Sequence, residues 1–200
     1  MYEKSGSDMV FNTHPDEADC SFVEIVDLPA FLDVHRDQSL WLACISGLNP
    51  DGDIAAIAAF HKWMVSQPDC DNVVASAVWG WWGGHRSCGL PSTYGGPIDE
   101  GLVVAKFTAE RARNRPFSTG ALSDPWPPGT RADLLAKAQA EAKKLGPTTE
   151  PMAPIPEEML RYVPVGGTPR EGYAVEETGL LVLRIPSNKW VASVRRLFVR

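Results

Sequence analysis

Residues 53–82 read DIAAIAAFHKWMVSQPDCDNVVASAVWGWW, and this stretch decides the fold class. Apolar residues recur three or four positions apart in each half of it, which predicts two helices, 54–66 and 72–82. Asp53 is a natural N-cap for the first helix, and Gln67-Pro68 ends it. Gly83-Gly84 ends the second helix, as glycines commonly do. The centre of the chain is therefore predicted to be a pair of consecutive helices.

Helical patterns continue on both sides of this pair. Short helices are predicted at 30–34, 40–48 and 157–162, and longer ones at 99–115 and 131–145, the last capped by Thr130. The fold class is therefore predicted to be mainly α, a multi-helix domain with a small C-terminal β-hairpin. The residues predicted to lie at the centre of the core are apolar members of the long helices: Ile54, Ile57, Met64, Val74, Val78, Val103 and Phe107.

The composition divides the chain into four segments. Residues 1–20 carry little hydrophobic pattern and are predicted to form a polar arm, and residues 21–146 form the helical domain. Residues 147–156 contain four prolines and are predicted to be a stiff connector. Residues 157–200 form a C-terminal extension, with strands at 173–176 and 180–185 and a last helix or strand.

Charge and hydropathy exclude several classes of function. The 200 residues are 44% hydrophobic and carry a net charge of −6, which argues against a general nucleic-acid binder. No run is long and apolar enough for a membrane span, and the first residues are polar and acidic, unlike a signal peptide. A soluble cytoplasmic protein is expected, without contact to nucleic acid or membrane.

The charge is distributed unevenly along the chain. Residues 1–100 hold four basic and fifteen acidic side chains, whereas residues 101–200 have a basic excess. The two halves could neutralise each other by packing together, or the acidic half could steer the protein toward a basic partner. The residues predicted to contact such a partner lie at helix starts, where capping explains them as well: Asp51, Asp53, Asp69, Asp71, Asp99 and Glu100.

All four cysteines and all four histidines lie before residue 90, which raises the question of a metal site or a thiol enzyme. The spacings match no structural zinc motif, so no metal and no cofactor is predicted. His85 and Cys88 share a glycine-rich loop that could supply backbone N–H groups to an oxyanion. They are the candidates for an alternative function as a small thiol- or metal-assisted enzyme.

One stretch resembles a known family. Residues 67–79, QPDCDNVVASAVW, are similar to the core motif of small bacterial helical domains of unknown function found beside interbacterial toxin genes. Arg115-Pro116-Phe117 and Ser123-Asp124-Pro125 resemble the closing loop of that family, so the likeness spans residues 38–126. The sequence departs from the family at Val74-Ala75-Ser76, where Thr-Ala-Leu is frequent, and in its longer glycine-rich loop. The resemblance implies an immunity protein of a polymorphic-toxin or type VI secretion system.

The function predicted from these observations is non-enzymatic. The chain is expected to bind one protein partner, a basic toxin, and to neutralise that toxin by covering its active site. The sequence leaves two alternatives open, the His85/Cys88 enzyme and a structural component of a phage or secretion particle. The oligomeric state is not predicted.

Overall fold

A computed structural model describes residues 25–34, 36–46, 52–120, 122, 129–162, 173–175 and 181–183. This part of the chain is mainly helical, as predicted. Its helices are α1 Leu28–Val34, α2 Gln38–Ser46, α3 Ile54–Ser66, α4 Asn72–Trp81, α5 His85–Cys88, α6 Glu100–Asn114, α7 Thr130–Lys143 and α8 Glu157–Arg161. In these described parts, no helix combines the length and the apolar character needed to cross a membrane.

Two three-residue strands follow the helices, β1 Tyr173–Val175 and β2 Leu181–Leu183. They pair antiparallel, with Tyr173 opposite Leu183. The turn between them and residues 184–200 lie outside the described residues, as does the arm 1–20. The hairpin and the last helix or strand therefore stay predictions.

Aspartates begin three of the long helices, because a carboxylate at the N-cap satisfies backbone N–H groups that have no partner within the helix. Asp53 accepts from the N–H of Ala56 at 3.0 Å at the start of α3. Asp71 and Asp99 accept from Val73 and Leu102, each at 2.7 Å, at the starts of α4 and α6. The capping interpretation of these three residues is confirmed.

The start of α7 differs from the prediction. Thr130 is the first residue of the helix, and Gly129 is the N-cap. Gly129 has a φ of 93°, in the left-handed region that glycine adopts without the steric cost of a side chain. The sequence prediction overlooked this glycine because threonine is the commoner capping residue.

Helix α4 is the centre of the fold. Every residue from Asn72 to Trp79 is buried, so this part of the helix is enclosed on all sides. Helices α2, α3, α6 and α8 pack around it. Arg131 of α7, itself buried, donates to the Ser76 hydroxyl at 2.8 Å and to the Met159 carbonyl at 3.1 Å. This guanidinium links α7 to α4 and α8.

The predicted core is confirmed at its centre and wrong at one position. Four of the seven residues are buried: Ile57, Met64, Val74 and Val78. Ile54 and Phe107 are partly buried against the core. Val103 is 41% exposed, because α6 turns Leu102 and Val104 inward and leaves Val103 on its outer side.

Residues 147–156 are bound to the helical domain at several points. The N–H of Ser92 donates to Glu150, and the N–H groups of Met152 and Ala153 donate to the carbonyls of Leu90 and Ser87. Met152 and Ala153 are buried, as are Met159 and Leu160 of α8. The proline-rich segment therefore runs along the loop after α5 and brings α8 into the same core.

The buried cap at Asp71 gives a testable prediction. Replacing Asp71 by alanine is expected to destabilise the protein by about 2 kcal/mol, the upper end for a cap, because the carboxylate is fully buried and its loss leaves a buried N–H unsatisfied. The matched control is Asp53→Ala, an exposed cap, with an expected loss of about 1 kcal/mol. Urea unfolding measures both losses of stability. Equal losses would show that the buried cap at Asp71 stabilises the protein no more than the exposed cap at Asp53.

Candidate functional site

An open groove of about 420 Å³ lies along the outer side of α6, and we call it the α6 groove. Its residues come from α3, from the loop before α6, from α6 and from the proline-rich segment. They are mostly apolar or amphipathic: Lys62, Ser92, Tyr94, Ile98, Leu102, Val103, Lys106, Phe107, Glu110 and Met152.

The geometry of α6 explains why these side chains share one surface. Val103, Lys106, Phe107 and Glu110 are spaced three or four residues apart, so they project from one face of the helix. The opposite face packs into the core through buried residues that include Val104 and Ala105. The helix is therefore anchored by one face and presents the other to the groove.

Two apolar side chains at the groove are unusually exposed. Ile98 is 55% and Val103 is 41% exposed. Asp99 is the N-cap of α6, so Ile98 precedes the cap and Val103 is the fourth residue of the helix. Side chains at these two positions commonly pack together as a hydrophobic staple. The sequence pattern predicts Val103 in the core and does not single out Ile98. The staple spacing around Asp99 is the signal that could have linked the two residues.

The groove also contains charged groups. The Lys62 ammonium lies over the Phe107 ring, 5.8 Å from its centroid, in the arrangement of a cation–π contact. Lys106 pairs with Glu110 one turn further along α6. Glu100, exposed in the first turn of the same helix, and Asp99 place negative charge beside Ile98. An apolar centre is thus bordered by charges of both signs.

The acidic residues predicted to contact a partner do not form one cluster. Asp53 and Asp69 lie at opposite ends of α3, whose 13 residues span roughly 20 Å. Asp99 and Glu100 are neighbours at the start of α6. Asp71 is fully buried, so its carboxylate is a cap and does not reach the surface. Asp51 lies outside the described residues.

Asp69 is held by an ion pair. Arg36 donates from Nε to one carboxylate oxygen at 2.8 Å and from a terminal nitrogen to the other. This two-bond contact lowers the pKa of Asp69, through the hydrogen bonds above all. Because Arg36 already neutralises it, Asp69 contributes less to an acidic surface than the sequence indicates.

The surroundings of Cys88 disfavour a nucleophilic thiol. The side chain is buried, and burial raises the pKa of Cys88 to about 11, so the reactive thiolate is scarce at neutral pH. Its Sγ lies 3.9 Å from the carbonyl oxygens of Gly84 and Pro154. Burial also lowers the pKa of His85, whose neighbours are charged residues of α7. The structure records no hydrogen bond between the His85 ring and the Cys88 sulphur.

Metal-ligand groups do not converge in the described residues. No cluster of three or more histidine, cysteine, aspartate or glutamate side chains is present there. Cys44, Cys70 and Cys88 are buried.

Comparisons with known proteins give no independent indication of function: no family model, curated protein or solved structure matches the chain. The likeness of residues 38–126 to toxin-associated domains consequently stays a prediction from the sequence. The groove geometry and the surrounding charges are the basis for a functional proposal.

Proposed function

We propose that the chain is a protein-binding protein without chemistry of its own, which neutralises a cognate bacterial toxin by covering the toxin's active site. The observation that carries the binding part of this proposal is the α6 groove, where exposed Ile98 and Val103 adjoin the charged start of α6. Protein interfaces commonly combine an apolar centre with a polar rim. The toxin as partner is supported by the sequence resemblance alone.

The negative charge of this protein supports the proposal that its partner is basic. The protein carries a net charge of −6, and Asp53 and Glu100 are exposed acidic groups at helix starts, next to Asp99, which pairs with Arg86. Acidic surfaces accelerate association with cationic enzymes by electrostatic steering. An inhibitory interface buries about 1,600 Å² in total, which is about 800 Å² on each partner. The groove would form the centre of such an interface.

The His85/Cys88 enzyme is the weaker alternative. A nucleophilic cysteine needs access to substrate and a lowered pKa, whereas Cys88 is buried with a raised pKa. His85 and Cys88 nevertheless offer a direct test. Alkylation of Cys88 at neutral pH much faster than that of the other thiols would favour the enzyme over the binding protein.

The binding function is tested with a tagged pull-down from source cells, comparing the native protein with Val103→Asn. One stoichiometric partner is expected, and Val103→Asn should bind it at least about tenfold more weakly, because burying a valine contributes about 1.5 kcal/mol or more. Val34→Asn is the matched control, since Val34 is 55% exposed on α1 and does not line the groove. Thermal unfolding of both variants confirms that they are folded.

The same experiment can contradict the proposal in two ways. Equal affinity of native protein and Val103→Asn for the captured partner would remove the α6 groove from the interface. Recovery of the protein's own chain alone, or of no stoichiometric partner, would refute the inhibitor function and favour a structural component.

A further inference from the structure

Lys62 stands out among the basic residues of the acidic half of the chain. Residues 1–100 contain four lysines and arginines, of which Arg36, Lys62 and Arg86 lie in described parts. Arg36 pairs with Asp69 and Arg86 pairs with Asp99. Among the described residues, Lys62 has no carboxylate within ion-pair distance. Its ammonium lies over Phe107 inside the α6 groove instead.

The other charges of the groove leave the Lys62 charge uncompensated. Glu110 is the acidic residue of the lining, and it is engaged by Lys106 through a contact along α6. The lining therefore retains one net positive charge, at Lys62. A cation above an aromatic ring keeps its outward side available for a carboxylate, because the ring interacts with one side of the ammonium only.

We propose that the α6 groove receives an apolar side chain of the partner protein next to an acidic residue, whose carboxylate pairs with Lys62. This inference rests on the proposed binding function and specifies what the partner presents there. The apolar side chain would pack among Ile98, Val103 and Phe107. A partner that is basic overall would thus carry a local apolar–acidic element at its contact with α6.

The open shape of the groove favours a protein segment over a small molecule. Sites for small molecules usually bury most of the ligand surface. Here Ile98 and Val103 remain 55% and 41% exposed at the groove, so a small ligand would leave apolar surface in water. A partner protein can cover the groove and its apolar border together, which removes more apolar area from water.

The inference is tested by NMR titration of the ¹⁵N-labelled protein with three blocked dipeptides, acetyl-leucyl-glutamic acid amide and its glutamine and lysine counterparts. Amide shifts are expected at residues 92–107 and around Lys62. The glutamate peptide should bind about five- to tenfold more tightly than the glutamine peptide, as a half-buried ion pair implies. The lysine peptide should bind most weakly.

Lys62→Gln is expected to abolish the preference for glutamate, whereas Lys137→Gln, which removes an exposed lysine of α7, should keep it. Equal affinities of the glutamate and glutamine peptides for the native protein would overturn the inference. Absence of groove shifts at about 10 mM peptide, where even contacts with millimolar dissociation constants are visible, would overturn it as well. This titration needs no natural partner, so its outcome is independent of the pull-down.

Discussion

Replacing Gly84 by alanine is expected to destabilise the protein by about 3 kcal/mol or more. A methyl group on Gly84 would lie 2.1 Å from a ring carbon of Trp79, far inside van der Waals contact. Trp79 is fully buried at the end of α4, so its indole cannot swing into solvent without leaving the core. The backbone of Gly84, with φ of −54°, is ordinary, and the whole effect is therefore steric.

Urea unfolding with Gly95→Ala as control measures this effect. Gly95 is exposed and a methyl group there meets nothing within 4 Å, so its replacement should change stability by about 0.5 kcal/mol at most. Adding Trp79→Leu to Gly84→Ala should cost less than the two single losses combined, because the smaller side chain makes room for the methyl group. Strictly additive losses, or a Gly84→Ala variant as stable as Gly95→Ala, would show that a clash with Trp79 does not cause the loss of stability.

Lowering the pH from 7 to 5 is expected to reduce the free energy of unfolding by about 2 kcal/mol through His61 alone. His61 is fully buried, and burial lowers its pKa from 6.5 to about 3. Below pH 6.5 the unfolded chain takes up a proton that the folded protein excludes. The free energy of unfolding therefore decreases as the pH is lowered from 6.5 to about 3. Burial also lowers the pKa of His85, which adds a loss of stability in the same pH window, whereas the lowered pKa of Asp69 acts below about pH 4.

The neutral form of His61 has a structural role. Its Nδ1 accepts the indole N–H of Trp82 at 2.8 Å, so the proton of the neutral ring sits on Nε2. Nε2 is buried and has no hydrogen-bond partner among the described residues. Protonation would turn Nδ1 into a donor that faces another donor, which adds the loss of this hydrogen bond to the cost of burying a charge.

His61→Asn is the control for the pH effect. Asparagine can place its carbonyl oxygen near the position of Nδ1 and accept from Trp82, but it does not titrate. The variant is expected to be less stable at pH 7, because it is smaller, and to lose much less stability between pH 7 and pH 5. Parallel pH profiles of the two proteins, from denaturant unfolding at each pH, would rule out His61 as the source.

The long helices were predictable because their ends are chemically marked. The predicted bounds of α3 are those observed, since Asp53 caps the helix and Gln67-Pro68 ends it. Helix α4 is one residue shorter than predicted, and α6 is bounded by Asp99 and Arg115. The four residues of α5 were predicted as a loop, because so short a helix has no periodicity to detect.

The candidate site was harder to predict, because it depends on how α6 is rotated about its axis. Leu102 and Val103 are adjacent apolar residues about 100° apart on the helix, and the sequence pattern alone does not show which of them the core buries. Which one faces inward is decided by the packing of α3 and α4 against α6. The sequence did identify Asp99 and Glu100 beside the groove, but it could not distinguish the buried Asp71 from exposed acidic residues.

The inner and outer faces of α6 differ in the amino-acid substitutions that they can accept. Folding depends on the inner face, where Val104, Ala105 and Ala109 are buried, and on the cap at Asp99. The outer positions 103, 106 and 110 contribute little to the core, and substitutions there are expected to have small effects on stability, whereas Phe107 is partly buried against the core. New recognition specificities can therefore arise at the groove while the inner face of α6 keeps the scaffold intact.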